Sequence, residues 1–398
     1  MTVDLPRVTY SNIGEDFSPV HRYLDAQIPG FEADVLGQNW TTPFATGPAI
    51  ALASPINDAL WLGRFPTSTA ADIKAAIASA KQAAKTWAHT SLQDRLEFAA
   101  RWKDVLNDSK YDLGLAALYE VGKSRMEAVG ETEECVDMID YYAAQLRENY
   151  GYTRPMTELV AHETARSVMK PYGVFAVIAP FNFPVALSVG MLSGALLTGN
   201  TVVYKPSPGC ALSGLMLAKT LRAAGLPDGV FSIALGDDAV GQMLSTDTDI
   251  DGVAFTGSHA TGMGIFRHMA QGPWMKPVVA EMGGKNPAYV TAQADLERAA
   301  QGVARSAFGL QGQKCSACSV VYVDTAVRDA FIAALIAFTK GLKVGDPRQS
   351  DTYMGPLYNQ AALTRFNTAL AEVGTKVHYG GTAMGGTHDD RYVLPAIV

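Results

Sequence analysis

Apolar residues recur along this chain in distinguishable rhythms. From Ser68 to Trp87 they fall at Ile73, Ile77, Ala80, Ala84 and Trp87, the 3.6-residue period of an amphipathic helix. Thr69 and Asp72 form a capping-box pattern at its start. A second helix is predicted over 92–109, and further helices through 111–148. Between 152 and 172 the rhythm shortens to alternation with Thr and Val, which predicts a β-hairpin arm projecting from the helices. Residues 1–50 carry scattered Gly and Pro without a period and are expected to be irregular.

From 171 to 204 no residue is charged, a length that alone would satisfy a membrane span. Its grammar says otherwise. Val174 to Ala179 is a short apolar run closed by Pro180, as in a buried strand. Pro184 suits a first helical turn, Val185 to Leu197 reads as helix, and Gly199-Asn200 stops it. Thr201 to Tyr204 is β-branched and aromatic again. This is the pattern of a buried parallel βαβ unit, not of a membrane segment. A helix over 211–224, closed by GLPDGV at 225–230, and strands at Phe231–Leu235, Gly252–Phe255, Val278–Glu281 and Pro287–Val290 extend the alternation. The expected fold class is α/β with a doubly wound parallel sheet.

Composition narrows the function classes. A length of 398 residues favours two or more domains. A net charge of −7 lacks the clustered basic excess that nucleic-acid binding needs, so no nucleic-acid partner is expected. The N-terminus has neither the basic nor the apolar region of a secretory signal, and the four cysteines are too few and too scattered for a disulfide framework. A cytoplasmic location with free thiols is the expectation.

Five segments could carry chemistry. Cys315 lies in FGLQGQKCSACS, where Gly309 and Gly312 leave the approach uncrowded and backbone N–H groups could receive an oxyanion. A packed cysteine, or a redox pair with Cys318, are the competing readings; zinc is disfavoured, because no second cysteine pair exists, and no metal is expected. Glu281, in VVAEMGGKNP, ends an apolar strand and precedes Gly283-Gly284, a place where ligands sit in open sheets or where a plain edge charge pairs with Lys285. Asn182 interrupts the uncharged run and must be hydrogen-bonded, by structure or by function. FTGSHATG (255–262) reads as strand, glycine turn and helix, a weak phosphate-approach signal. Lys205, with Pro206-Ser207, could reach a ribose or merely cap the sheet edge.

In order, APFNFP, KPS, FTGS, EMGGK and GQKC resemble the NAD(P)-dependent aldehyde dehydrogenase superfamily from about residue 50 onward. Within it they look most like the branch that oxidises glutamate γ-semialdehyde to glutamate. The 34-residue spacing from Glu281 to Cys315 agrees with the resemblance. It implies Cys315 as nucleophile, Asn182 as oxyanion donor and Glu281 as the base that activates water. It places Pro180, Phe181, Lys205, Ser207, Gly257, Ser258 and Gly262 at an NAD or NADP cofactor, and Phe183 and Ser316 at a small aldehyde substrate. It implies a dinucleotide-binding domain over 1–151 and 173–281, an oligomerisation hairpin over 152–172 that makes a homo-oligomer, and a catalytic domain over 282–398.

Three features depart from that pattern. Pro208 stands where many members carry a ribose-selecting Glu, so NAD and NADP both stay open. Val320 stands where the similar enzymes often have Arg. YVLPAIV (392–398) resembles the segment just before the family's EEIFGPV-type motif. The expectation is a C-terminally incomplete catalytic domain, with a catalytically weak scaffold of the same fold, or an enzyme for another semialdehyde, as the rivals.

Overall fold

The computed structural model describes residues 5–9, 11–385 and 389–398. Helix α1 (Ser18–Asp34) opens it, followed by β1 (Gln38–Asn39), β2 (Ala49–Ser54) and β3 (Asn57–Pro66), which form a small sheet. Next come α2 (Ala70–Trp87), α3 (Leu92–Val121) and α4 (Arg125–Glu148), then a hairpin of β4 (Thr153–Pro155) and β5 (Arg166–Val168). Strands and helices then alternate as β6 (Val174–Ile178), α5 (Ala186–Leu197), β7 (Thr201–Lys205), α6 (Ala211–Ala223), β8 (Phe231–Ile233), α7 (Asp238–Thr246), β9 (Gly252–Gly257), α8 (His259–Met269) and β10 (Val278–Met282). The chain ends with β11 (Asn286–Val290), α9 (Leu296–Phe308), β12 (Cys318–Val323), α10 (Arg328–Lys340) and α11 (Gln360–Val373).

Two expectations are corrected. Residues 1–50 are not irregular, because α1 occupies 18–34. It carries Pro29 inside and buries only Val20, Leu24 and Phe31. Tertiary contacts hold it: the Arg125 guanidinium reaches the Asp25 carboxylate at 2.5 Å and the His21 carbonyl at 3.1 Å. The helix predicted to stop at 109 instead runs unbroken to Val121. It ends at Gly122, whose φ of +78° is left-handed and whose Cβ, if present, would lie 2.9 Å from the Pro356 ring.

The uncharged 171–204 stretch is β6, α5 and β7, as its grammar predicts. The central sheet is parallel, in the order β10-β9-β6-β7-β8. Val174, Ala176 and Ile178 face one core with Ile73, Ile77, Val240 and Ile265, whereas Phe175 and Val177 face the other with α3–α6. Both faces are covered, so the strands read as continuous apolar runs. β10 is the exception. As the edge strand it leaves Val279 and Glu281 exposed. Between Met282 and Asn286 the chain leaves this sheet for a second parallel one of two strands, β11 and β12, backed by α9 and α10. The hairpin exists, with three-residue strands. Among the described residues no helix is long and apolar enough to cross a membrane.

Two acidic side chains from the helical layer tie the sheet's helices down. Glu120 accepts the Leu212 and Ser213 N–H groups at 2.6 and 3.0 Å, at the start of α6. Glu131 accepts those of Val185 and Ala186 at 2.8 and 3.1 Å, at the start of α5. These donors have no partner inside their own helices, and the positive helix end favours a carboxylate.

Burial pushes the Glu120 carboxyl up to about 8, although the Ser213 and Leu212 donors pull it down. A raised folded-state pKa means stability is fully present below the unfolded value and is lost as pH rises through the folded one. Thermal stability should therefore fall between about pH 5 and pH 8, and Glu120→Gln should flatten that decline. Parallel pH–melting curves for the two proteins would show that Glu120 stays ionised in the fold.

Candidate active site

In a doubly wound sheet the crevice opens where the strand order reverses, outside the carboxyl ends of the strands. Here the reversal lies between β6 and β9, where Ile178 pairs with Phe255. The segments beyond them are Ala179-Pro180-Phe181-Asn182 and Gly257-Ser258. Lys205, which pairs with Ile178 from the other side, leads into Ser207 on the same edge. Most of the residues singled out from sequence therefore share one rim of the sheet.

Asn182 is buried and uses both ends of its amide. Its oxygen accepts the Phe183 N–H at 3.0 Å, and its nitrogen donates to the Gln313 carbonyl at 2.9 Å. Gln313 lies two residues before Cys315, so the β6 rim and the cysteine loop are joined directly. Cys315 is an exposed free thiol. Its carbonyl accepts the Asn286 amide at 2.7 Å, and the same nitrogen reaches the Ala317 carbonyl at 3.1 Å. A Cβ on Gly284 would lie 3.1 Å from the Cys315 carbonyl oxygen, a close approach that explains a glycine there. Glu281, three residues earlier, is exposed on β10. Burial, then Tyr141, then the Glu281 charge raise the nearby Tyr142 phenol. Ser316 is exposed beside the thiol.

Lys205 is buried at the end of β7 and donates to the Pro206 carbonyl at 3.2 Å. Burial pushes its ammonium down to about 8, against Asp238 and Asp237, which pull it up. An ammonium so poorly solvated gains from hydroxyl acceptors such as those of a ribose. Ser258 caps α8, accepting the Thr261 N–H at 3.1 Å. Gly262, on the first turn of that helix, leaves no room for a side chain, since a Cβ would meet the Met282 sulfur at 2.8 Å. Gly257 is likewise closed by the Phe255 ring at 2.5 Å. These glycines let strand, turn and helix pack tightly, and the donor set along the rim fits a dinucleotide.

Several participants carried no role in the sequence. Tyr358 stacks on Phe181 with ring centroids 4.1 Å apart, lies 3.5 Å from the Ser207 hydroxyl, and donates its backbone N–H to the Gln313 side chain at 3.2 Å. A cavity of about 430 Å³ lies beside it, with Glu120, Ser207, Pro208 and Asp238 in its wall. Lys123, also without a role in the sequence, sets its ammonium 3.7 Å from the ring centre of Phe183, a residue the sequence did single out. Asn286, two residues after Gly283-Gly284, is a polar side chain next to a close backbone approach, and that is the signal in the sequence that marks it. Tyr358 follows Cys315 by 43 residues, and no local pattern marks it.

The fold and site thus define an α/β protein with a ligand crevice at its sheet reversal and a thiol-bearing loop hydrogen-bonded across it. The chain belongs to the aldehyde dehydrogenase family, whose model matches residues 40–398. It is 35% identical over 353 residues to a 1-pyrroline-5-carboxylate dehydrogenase of Staphylococcus saprophyticus, covering 87% of this chain and 68% of that one. The enzyme of that name from Geobacillus thermodenitrificans is 36% identical over 351 residues, covering 87% and 67%. The chain thus spans about two thirds of the length of these relatives. Among solved structures, a 1-pyrroline-5-carboxylate dehydrogenase from Thermus with bound NAD superposes with a TM-score of 0.88 at 27% identity, covering 100% of this chain and 78% of that one. Proline utilization A from Bdellovibrio bacteriovorus gives 0.88 at 30% identity, covering 94% of this chain and 40% of its own.

Proposed function

We propose that the chain oxidises an aldehyde to a carboxylic acid with NAD(P)+ through a thioester on Cys315, and that the aldehyde is L-glutamate γ-semialdehyde. The observation that carries this reading is the Asn182–Gln313 hydrogen bond, which sets an amide donor from the sheet rim against the loop bearing the thiol. The Cys315 thiolate adds to the aldehyde carbonyl, and the oxyanion is met by the Asn182 amide and the Cys315 N–H. The rim would hold NAD(P)+, whose nicotinamide would supply the acceptor for the hydride. The acyl group stays on sulfur, and Glu281 takes a proton from water as that water attacks the thioester, releasing the acid and restoring the thiolate. Pro180, Phe181, Lys205, Ser207, Gly257, Ser258 and Gly262 hold the dinucleotide, while Phe183 and Ser316 face the substrate. The similarity to the staphylococcal and Geobacillus enzymes supports the semialdehyde.

The same reading divides the chain into a dinucleotide-binding domain (1–151 and 173–281), an oligomerisation hairpin (152–172) and a catalytic domain (282–398), working in the cytoplasm as a homo-oligomer. Alternation along the hairpin and the exposed Met156, Val160 and Val168 support an arm that seeks a partner.

Following NAD(P)H formation from the semialdehyde tests the activity. Cys315→Ala should abolish it and Cys318→Ala should keep most of it. An uncharged aldehyde of the same length should show the lower kcat/KM. Equal loss in both cysteine variants would favour a dithiol, and equal kcat/KM values would remove the semialdehyde.

Asp238 and Pro208 share the wall of the cavity beside Ser207, and Asp238 acts electrostatically on Lys205. A carboxylate there disfavours a ribose phosphate, so NAD should be preferred over NADP. Asp238→Asn should narrow the kcat/KM ratio by roughly 5-fold, the effect of about 1 kcal/mol between two charges. A wild-type preference for NADP would overturn this.

A further inference from the structure

Within residues 309–314, which lead into Cys315, two residues adopt an unfavourable backbone. Leu310 has φ of +48° and Gln311 φ of +54°, left-handed conformations that L-residues other than glycine pay strain to hold. Something must over-determine this turn, and the contacts around it show what does. The Leu310 side chain is fully buried among Val121, Cys210, Phe181, Phe183 and Tyr358. Its N–H donates to one oxygen of Glu127 at 3.2 Å, and the Lys314 ammonium reaches the other oxygen at 2.7 Å. One carboxylate on the first turn of α4 thereby grips both ends of the turn. Glu127 and Lys314 are themselves nearly excluded from water, with side-chain exposures of 8% and 13%. The Ser124 hydroxyl adds a third donor to Glu127 at 3.3 Å. A Cβ on Gly309 would lie 3.0 Å from Glu127 and 2.8 Å from Lys314, so the clamp closes over a residue without a side chain.

We infer that Glu127 is a positioning residue for the Cys315 thiol, acting through the strained 310–314 turn. The inference rests on the proposed role of Cys315 and extends it to a carboxylate that reaches the thiol loop through Leu310 and Lys314. Glu127 fixes Leu310 and Lys314, and Gln313 between them presents its carbonyl to Asn182. Thiol and oxyanion donor therefore keep their relative place only while the clamp holds. Without it the turn relaxes toward ordinary backbone angles, and the Cys315–Asn182 geometry is lost.

The test compares Glu127→Ala, Glu127→Gln and the double variant Glu127→Ala/Lys314→Met, which leaves no buried lysine without its partner. Two readouts are taken: steady-state kinetics with the semialdehyde and NAD+, and amide hydrogen exchange of 309–315. Loss of the clamp should lower kcat by about 100-fold, the scale of a 1 Å misplacement near reacting atoms, with KM within about 3-fold. Glu127→Gln should recover at least about tenfold, because its amide oxygen still accepts the Leu310 N–H. Exchange in 309–315 should accelerate in both alanine variants while β6, β7 and β9 stay protected. A double variant with wild-type exchange in 309–315, or with wild-type kcat, overturns the proposal. If the single alanine variant does not fold, the glutamine and double variants decide. The exchange readout is independent of turnover, so a wild-type chain inactive on the semialdehyde would refute the proposed substrate and leave the clamp to be judged by exchange.

Discussion

Where α4, the β6 rim, the start of α5 and the packing under Phe183 meet, a lysine and a glutamate lie with no exposure to solvent. Lys123 and Glu131 approach to 2.5 Å, and Glu131 spends its other oxygen on the Val185 and Ala186 N–H groups. Lys123 also sits on the Phe183 ring. Burial drives the Lys123 ammonium down and Glu131 drives it back up. Such a pair adds little net stability over an apolar substitute, but losing one partner costs about 3–5 kcal/mol, since a buried charge is left alone. The α5 start, and with it the Pro180–Phe183 rim, has one satisfied arrangement available. The Asn182 bond that joins the cysteine loop to the sheet is made from that rim.

The same logic recurs one turn earlier and at the other end of the break between α3 and α4. Glu127 faces the cysteine loop, Glu131 faces α5, and Glu120 faces α6. Gly122 makes the sharp break that lets carboxylates on two helices look toward one edge of the sheet. The helical layer is therefore a set of anchors for loop and helix starts as well as a cover for the sheet face. Asn182 and Asn286 finish the arrangement by tying the cysteine loop to the rim and to the Gly283-Gly284 turn.

Much of this was legible in the residue pattern because it is local. The capping box of Thr69 and Asp72 forms with both of its hydrogen bonds, and the 171–204 unit folds as strand, helix and strand because its stop signals are strong. Cys315, Glu281 and Asn182 stood out because each breaks the pattern of its surroundings. What stayed hidden depends on distant partners. The α1 helix needs Arg125, a hundred residues away, and its weak apolar stripe with Pro29 inside gives no warning. The α3 boundary at Gly122 depends on Pro356. Glu127 lies in a run of glutamates that reads as a solvated helix face, yet three of them are buried. Tyr358 reaches the rim only through the fold.

The central claim is that thiol, amide and carboxylate act in sequence on one acyl group. Mixing Glu281→Gln with the semialdehyde and NAD+, then measuring NADH and intact protein mass over time, examines it directly. The account predicts a rapid burst approaching one NADH per chain, slow turnover afterwards, and a protein heavier by the acyl group, with the added mass on the Cys315 peptide. A variant that turns over at the wild-type rate without an adduct, or an adduct on any other residue, would contradict it.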